Sequence, residues 1–418
     1  MTPPAYAGPL QGIRILDLTR VLAGPYSTML LGDLGAEILK IEPPGVGDET
    51  RVIPPYRGGE SHYFLAINRN KKSLAVDLKQ EAGQRVLLDL VPHYDALIEN
   101  FRPGVLARLG LAPDRLLAAN PRLIVCSISG FGQTGPLRDH PSYDIVTQAM
   151  TGAMSVTGEP GRPPVKLGLP IGDLAGGLFA ALGMLAALQE RQRTGRGQII
   201  DVGLYDCMVG LLGYLAELYL FTGHNPEPVG SGHHTIVPYG AYQASDGYLV
   251  IALHSGSFYR KFCEAIGRPD LASDPRFATN SARQQHKDVL NGLVADIVAR
   301  HPVAYWLELF ERAAIPAAPI QRLSDVLAHP QTHARQMLTE MQHPTAGTVP
   351  MIGRVLKFAQ AQTPLDPAPL YGQHSCQVLR DLLGYSEEYI ATLLAAGVIH
   401  DHWHNAPAGE RHTPGADG

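Results

Sequence analysis

The sequence predicts an α/β protein: a large domain built on a Rossmann-like, doubly wound parallel sheet, joined to a smaller α+β domain. Three observations lead there. The chain opens on strand, helix, strand; the alternation recurs through the first half; and at Gly223 the composition turns to loop formers, after which a hairpin and a run of helices begin.

In the opening unit Ile13-Arg-Ile-Leu-Asp-Leu18 is a compact apolar strand. Thr19-Arg-Val-Leu-Ala-Gly-Pro25 leads into a helix to about Leu34, with Pro25 suited to a first helical position and Gly35 as the stop. Glu37-Ile-Leu-Lys-Ile41 is the next strand. Such a βαβ unit makes a parallel sheet with a right-handed crossover. The alternation continues with strands at Ser73–Leu78, Ala96–Glu99, Leu123–Ser129 and Gln198–Val202. Between and after them lie helices at Glu81–Leu90, Val105–Leu109, Tyr143–Met154 and Leu204–Thr222.

From Gly223 the stretch His224-Asn-Pro-Glu-Pro-Val-Gly-Ser-Gly-His-His-Thr235 reads as a linker. A hairpin follows, Gly240–Ala244 with Tyr248–Leu253, turning at Ser245-Asp-Gly247. Helices at Phe258–Ile266, Ser281–Arg300 and Pro302–Ala314 and a short strand at Ala317–Leu323 complete the small domain. Beyond it, Gly347–Leu356 reads as a hairpin, and Ser375–Leu383 and Ser386–Ala396 as terminal helices. The expected domains are 1–225 (large), 226–330 (small), 331–405 (a segment returning to the large domain) and a disordered tail, 406–418. His400-Asp-His402-Trp-His404 reads as a solvated tail rather than a metal site, since nothing around it supplies rigidity.

Composition narrows the function classes. The chain has 418 residues, 45% hydrophobic and 17% charged, with 34 basic against 39 acidic residues and a net charge of −5. That is a globular chain without the basic excess of a nucleic-acid binder. Its four cysteines are scattered, so no disulfide framework or zinc site is expected, and a reducing cytoplasm fits. The N-terminus lacks a signal-peptide pattern, and the apolar stretches after Asp173 and around Val209–Phe221 read as too short or too interrupted to span a bilayer.

The strongest candidate site is Pro170-Ile-Gly-Asp-Leu-Ala-Gly-Gly177, where a carboxylate opens the most apolar helix of the chain, read as buried on all sides. Asp173 belongs at or beside the N-cap, where an Asp is an ordinary cap but where the helix dipole also keeps a carboxylate charged and nucleophilic. Gly176 and Gly177 are expected in the first turn, where each costs about 0.5–1 kcal/mol relative to Ala. They read as bare backbone left for another molecule to approach. Gly130-Phe-Gly-Gln-Thr-Gly135 matches the dinucleotide-binding glycine pattern, but two prolines follow where the phosphate-binding helix should run. The reading is therefore a dinucleotide-type sheet without its nicotinamide site.

Several stretches together resemble the family III CoA-transferases, the group that includes formyl-CoA, carnitine and bile-acid CoA-transferases and the related α-methylacyl-CoA racemases. The carriers are Asp17-Leu-Thr-Arg-Val-Leu-Ala-Gly-Pro25, Leu34–Glu42, Asn68-Arg-Asn-Lys-Lys-Ser73, Glu99-Asn-Phe-Arg-Pro-Gly104, Ser129–Pro136, Gly172-Asp173 and Thr194-Gly-Arg-Gly-Gln198. The resemblance implies that Asp173 is the nucleophile. It would attack an acyl-CoA thioester and pass through a mixed anhydride to an aspartyl-CoA thioester, from which a carboxylic acid accepts CoA. No resident cofactor is implied, CoA being a substrate. The resemblance also implies CoA contacts at Val21, Leu22, Ala23, Val76, Lys79, Asn100, Phe101, Arg102 and Arg108, and an interlocked homodimer. Tyr143, Gly176, Gly177, His233 and His234 are the expected substrate contacts, with the glycine backbone as oxyanion donor. Some formyl-CoA transferases carry Gln where Leu22 stands and a glycine loop near Gly230-Ser-Gly-His-His234, so oxalate and formyl-CoA are not expected; succinyl-CoA and a dicarboxylic acid are. The racemases place a His where Ser142-Tyr143-Asp144 stands, and tyrosine's pKa of about 10 suits two-base proton exchange poorly. Racemization thus stays the alternative, with non-catalytic acyl-CoA binding behind it.

Overall fold

The computed structural model describes residues 8–359 and 364–401. The tail expected over 406–418, and His402 and His404, lie outside the described residues.

β1 (Arg14–Asp17) leads to helix α1 (Ala23–Asp33) and β2 (Glu37–Glu42). A seven-stranded sheet grows on both sides of β1, in the order Ile399–His400, Lys71–Val76, β2, β1, Ala96–Glu99, Ile124–Ser129, Ile199–Gly203. All neighbours are parallel except the two-residue edge strand, which runs antiparallel to Lys71–Val76. The order reverses between β1 and Ala96–Glu99, which makes the sheet doubly wound as its sequence predicts. Alternation sorts the side chains. Leu16, Leu39, Leu97 and Val125 join one core, and Ile15, Ile38, Ile98 and Cys126 join the other. The second core is closed by α1 and by the helix Ile171–Thr194, through Ala175, Ala180, Met184, Ala187 and Leu188.

The fold divides into two units. One takes the chain up to Thr151, Gly168–Leu211 and the described chain from His333 on; the other takes Gly152–Leu167 and Leu212–Thr332. In the second, an antiparallel sheet ordered Ala317–Pro319, Tyr248–Ala252, Tyr239–Gln243 packs with helices Gly256–Ala265, Lys287–Val298 and Val303–Arg312 around Leu249, Ile251, Phe262, Leu290 and Phe310.

Several expectations need correction. The expected helix Leu204–Thr222 is broken at Gly213 (φ +52°) into Leu204–Leu211 and Tyr214–Thr222, and the second piece groups with the other unit. The helix expected over Ser281–Arg300 is interrupted at His286. Gly347–Ile352 is only the second arm of a hairpin; its partner is Leu338–His343. Ile171–Thr194 is 24 residues long and, by length and composition, apolar enough to cross a membrane, so the judgement that it is too short fails; half of its apolar window is buried against the fold. Nor is it buried all round, since Leu178, Phe179 and Leu182 are 52%, 41% and 61% exposed.

Candidate active site

Asp173 is the third residue of its helix rather than the cap. Pro170 stands at the N-cap without a capping side chain, and Asp144 takes over that role from 28 residues away. Its Oδ1 accepts from the Gly172 N–H at 2.7 Å and the Asp173 N–H at 3.4 Å. The Ile171 N–H donates to the Leu169 carbonyl and the Leu174 N–H to the Pro170 carbonyl, so the amides of the helix start are already engaged.

This arrangement reverses the expected electrostatics. A helix N-terminus alone favours the charged carboxylate. Burial, and then the negative charge of Asp144, instead push the Asp173 carboxyl up to about 6. It remains mostly ionised at neutral pH and is more basic than a solvated aspartate, which suits a nucleophile. Tyr63, which the sequence reading did not single out, shares this environment. Burial and the charges of Asp173, Asp48 and Asp144 raise its hydroxyl to about 12, so it stays a proton donor.

The glycines have a different reason from the one expected. A Cβ on Gly177 would lie 2.5 Å from the Ala23 carbonyl oxygen, and one on Gly176 would lie 2.2 Å from Leu204 Cδ2. What approaches their bare backbone is the protein's own α1 and Leu204. Lying beyond the first turn, their N–H groups point into the helix and are spent on its hydrogen bonds, so they are not the oxyanion donors.

The turn after β1 meets the loop after Ala96–Glu99 where the sheet order reverses. Asn100 Oδ1 accepts from the Arg20 N–H at 2.8 Å, and its Nδ2 donates to the Arg20 carbonyl at 2.7 Å. The Arg20 guanidinium lies 5.2 Å from the Phe101 ring centre, and the Phe101 N–H donates to Glu99. Val21 has φ +64°, an outlier for a β-branched residue worth about 1–3 kcal/mol of strain. Leu22 and Ala23 are buried at the start of α1, whose first turn has neither a capping side chain nor an acidic residue. Arg102 and Arg108 are exposed and, among the described residues, make no ion pair; Lys79 is exposed beyond its strand. Val76 departs from expectation: only 1% exposed, its side chain is part of the core and is not available to a ligand.

Tyr143 is 75% exposed, one residue before the helix that carries Asp144. In the second unit His233 is stacked on Tyr214 and tilted against Tyr239, with Nδ1 accepting from the Thr235 N–H. Burial and then His234 lower its pKa, leaving it neutral at pH 7. His234 Nε2 lies 3.0 Å from the Glu227 carbonyl. Among the described residues no group of His, Cys, Asp and Glu is arranged to hold a metal ion.

The fold is a doubly wound α/β sheet, and the helix Ile171–Thr194 that covers one of its faces begins with a half-buried carboxyl of raised basicity, Asp173. Residues 10–375 match the family model of CoA-transferase family III, and the chain belongs to that family. It is 41% identical to a mouse protein named succinyl-CoA:glutarate CoA-transferase, over 94% of this chain and 91% of that one. It is equally 41% identical to the acetyl-CoA:oxalate CoA-transferase of Acetobacter aceti, over 87% of this chain and 92% of that one. The crystal structure of a CaiB/BaiF family protein from Brucella suis superposes with a TM-score of 0.81 at 38% identity, covering 90% of this chain and all of that one.

Proposed function

We propose that this CoA-transferase moves CoA from succinyl-CoA to a small dicarboxylic acid, with Asp173 as the covalent carrier. The raised basicity of Asp173 at the head of its helix carries the reading, and relatives named for glutarate and oxalate support the acceptor class.

The cycle has four displacements. An Asp173 carboxylate oxygen attacks the thioester carbonyl and expels CoA as thiolate, leaving a mixed anhydride. The thiolate attacks the aspartyl carbonyl, which releases succinate and leaves the aspartyl-CoA thioester. The acceptor carboxylate attacks that thioester and expels the thiolate again. The thiolate then attacks the acceptor's carbonyl, forming the new acyl-CoA and returning Asp173 as carboxylate. Each tetrahedral oxyanion needs a hydrogen-bond donor. With the helix-start amides engaged, we assign that part to the Tyr63 hydroxyl. CoA lies across the turn at Val21–Ala23 and the loop Asn100–Arg102, with the exposed Arg102 and Arg108 toward its phosphates. His233 and His234 carry imidazole groups of the kind that pairs with an acceptor's carboxylate.

We also infer a homodimer, because Leu178, Phe179 and Leu182 leave an apolar helix face in water, and a cytoplasmic setting, in keeping with four free thiols. Steady-state kinetics with succinyl-CoA against oxalate, glutarate and longer diacids tests the central reading. Parallel double-reciprocal lines and loss of turnover by about 10³-fold or more in Asp173→Ala are expected. Intersecting lines with a surviving Asp173→Ala rate contradict it.

A further inference from the structure

The turn that follows β1 is braced from beneath by charges that solvent does not reach. The fully buried Lys40 ammonium donates to the Thr19 carbonyl at 2.8 Å and pairs with Asp48 at 2.9 Å. Asp48 accepts from the Val21 N–H at 3.3 Å and from the Thr50 N–H at 2.9 Å. On the other side Lys71 Nζ reaches Asp17 at 3.0 Å and donates to the Pro25 carbonyl at 2.9 Å, while Asp17 accepts from the Thr19 N–H at 2.9 Å. Thr19, Val21 and Pro25 are thus each held by a buried ion pair.

Stability is a poor explanation for this design. Desolvating two ions consumes most of what their attraction returns, and apolar replacements of similar volume are often as stable. The same turn also carries the strained Val21. Two unfavourable features in one turn, at the carboxyl end of β1 where a doubly wound sheet takes its ligands, indicate a conformation fixed for binding.

We propose that Lys40 and Asp48 are positioning residues for the CoA donor: they hold Thr19–Ala23 with Val21 left-handed, so that this backbone and the uncapped first turn of α1 meet CoA in a preformed arrangement. The inference rests on the CoA-transferase reading above. Burial alone would lower the Lys40 pKa, but Asp48, Asp17 and Glu42 hold it above its ordinary value, so the clamp stays charged around neutrality.

The test uses the full-length protein, with CoA binding measured by calorimetry and donor-side kcat/KM measured with succinyl-CoA. Lys40→Met is expected to weaken both by about tenfold or more. Adding Val21→Gly to Lys40→Met should restore most of the loss, because glycine enters the left-handed region without strain. A merely structural lysine would leave the double variant no better than the single one. If Lys40→Met does not fold, Val21→Pro decides: it leaves Lys40 and Asp48 themselves in place, forces φ to about −65° and removes the N–H that Asp48 accepts from. Loss of CoA binding by about tenfold in a folded Val21→Pro supports the clamp, and binding within about twofold of wild type overturns it. Wild-type protein that binds no CoA overturns instead the reading on which the inference rests.

Discussion

At Asp173 burial and a neighbouring carboxylate outweigh the helix N-terminus. The result is a carboxyl, the nucleophile of the proposed reaction, pushed up to about 6 from the ordinary 3.8. Asp173 is protonated below that value and unreactive, so kcat/KM should fall as pH drops through about 6. Asp144→Asn removes the like charge but keeps a side-chain oxygen for the Gly172 N–H. The acid limb should therefore move to lower pH while staying above the ordinary aspartate value of 3.8, because burial is the larger cause. A limb that stays in place would show that Asp144 does not tune the nucleophile. Asp144 and Tyr63 lay beyond the sequence reading for a physical reason. They reach Asp173 only through tertiary folding, and nothing in their local sequence marks an Asp that caps another helix or a Tyr raised by distant charges.

The helix Ile171–Thr194 and α1 pack closely because Gly176 and Gly177 let them. The two glycines are not equivalent. A methyl on Gly177 meets backbone, the Ala23 carbonyl oxygen, whereas one on Gly176 meets the end of the Leu204 side chain, which can rotate. Gly177→Ala should lower thermal stability by about 1–3 kcal/mol. Gly176→Ala should be near neutral, since a gain of about 1 kcal/mol in helix propensity offsets the repacking. Thermal denaturation of both variants checks the order, and equal effects would contradict the packing account. Other elements explain what was legible. The helix Glu81–Leu90 and the strand Ala96–Glu99 fall where their sequence places them, because one has a clear apolar face and the other a short apolar run. The break at Gly213 was hidden because the residues right beside it, Leu211-Leu212 and Tyr214-Leu-Ala216, are apolar on both sides. Leu338–His343 was missed because its polar residues give no clean alternation, and Ile399–His400 because two residues carry no period.

For the molecule as a whole, the doubly wound sheet followed from strand and helix alternation, while the division into units did not. Gly152–Leu167 joins residues beyond 212, a long-range grouping that no local composition shift announces. The exposed Leu178, Phe179 and Leu182 bear on assembly, and sedimentation equilibrium is expected to give twice the chain mass of 45.1 kDa. Replacing Leu178 and Leu182 by Asp should weaken that association, and a wild-type monomer at micromolar concentration would contradict the inferred dimer. The covalent role of Asp173 is tested most directly by intact-protein mass after brief exposure to succinyl-CoA, with borohydride to trap the activated carboxylate and peptide mapping to place it. The account expects modification at Asp173, absent in Asp173→Ala. An unmodified wild-type enzyme that still transfers CoA, or exchange of the α-proton of a 2-methylacyl-CoA with solvent in place of transfer, would contradict it.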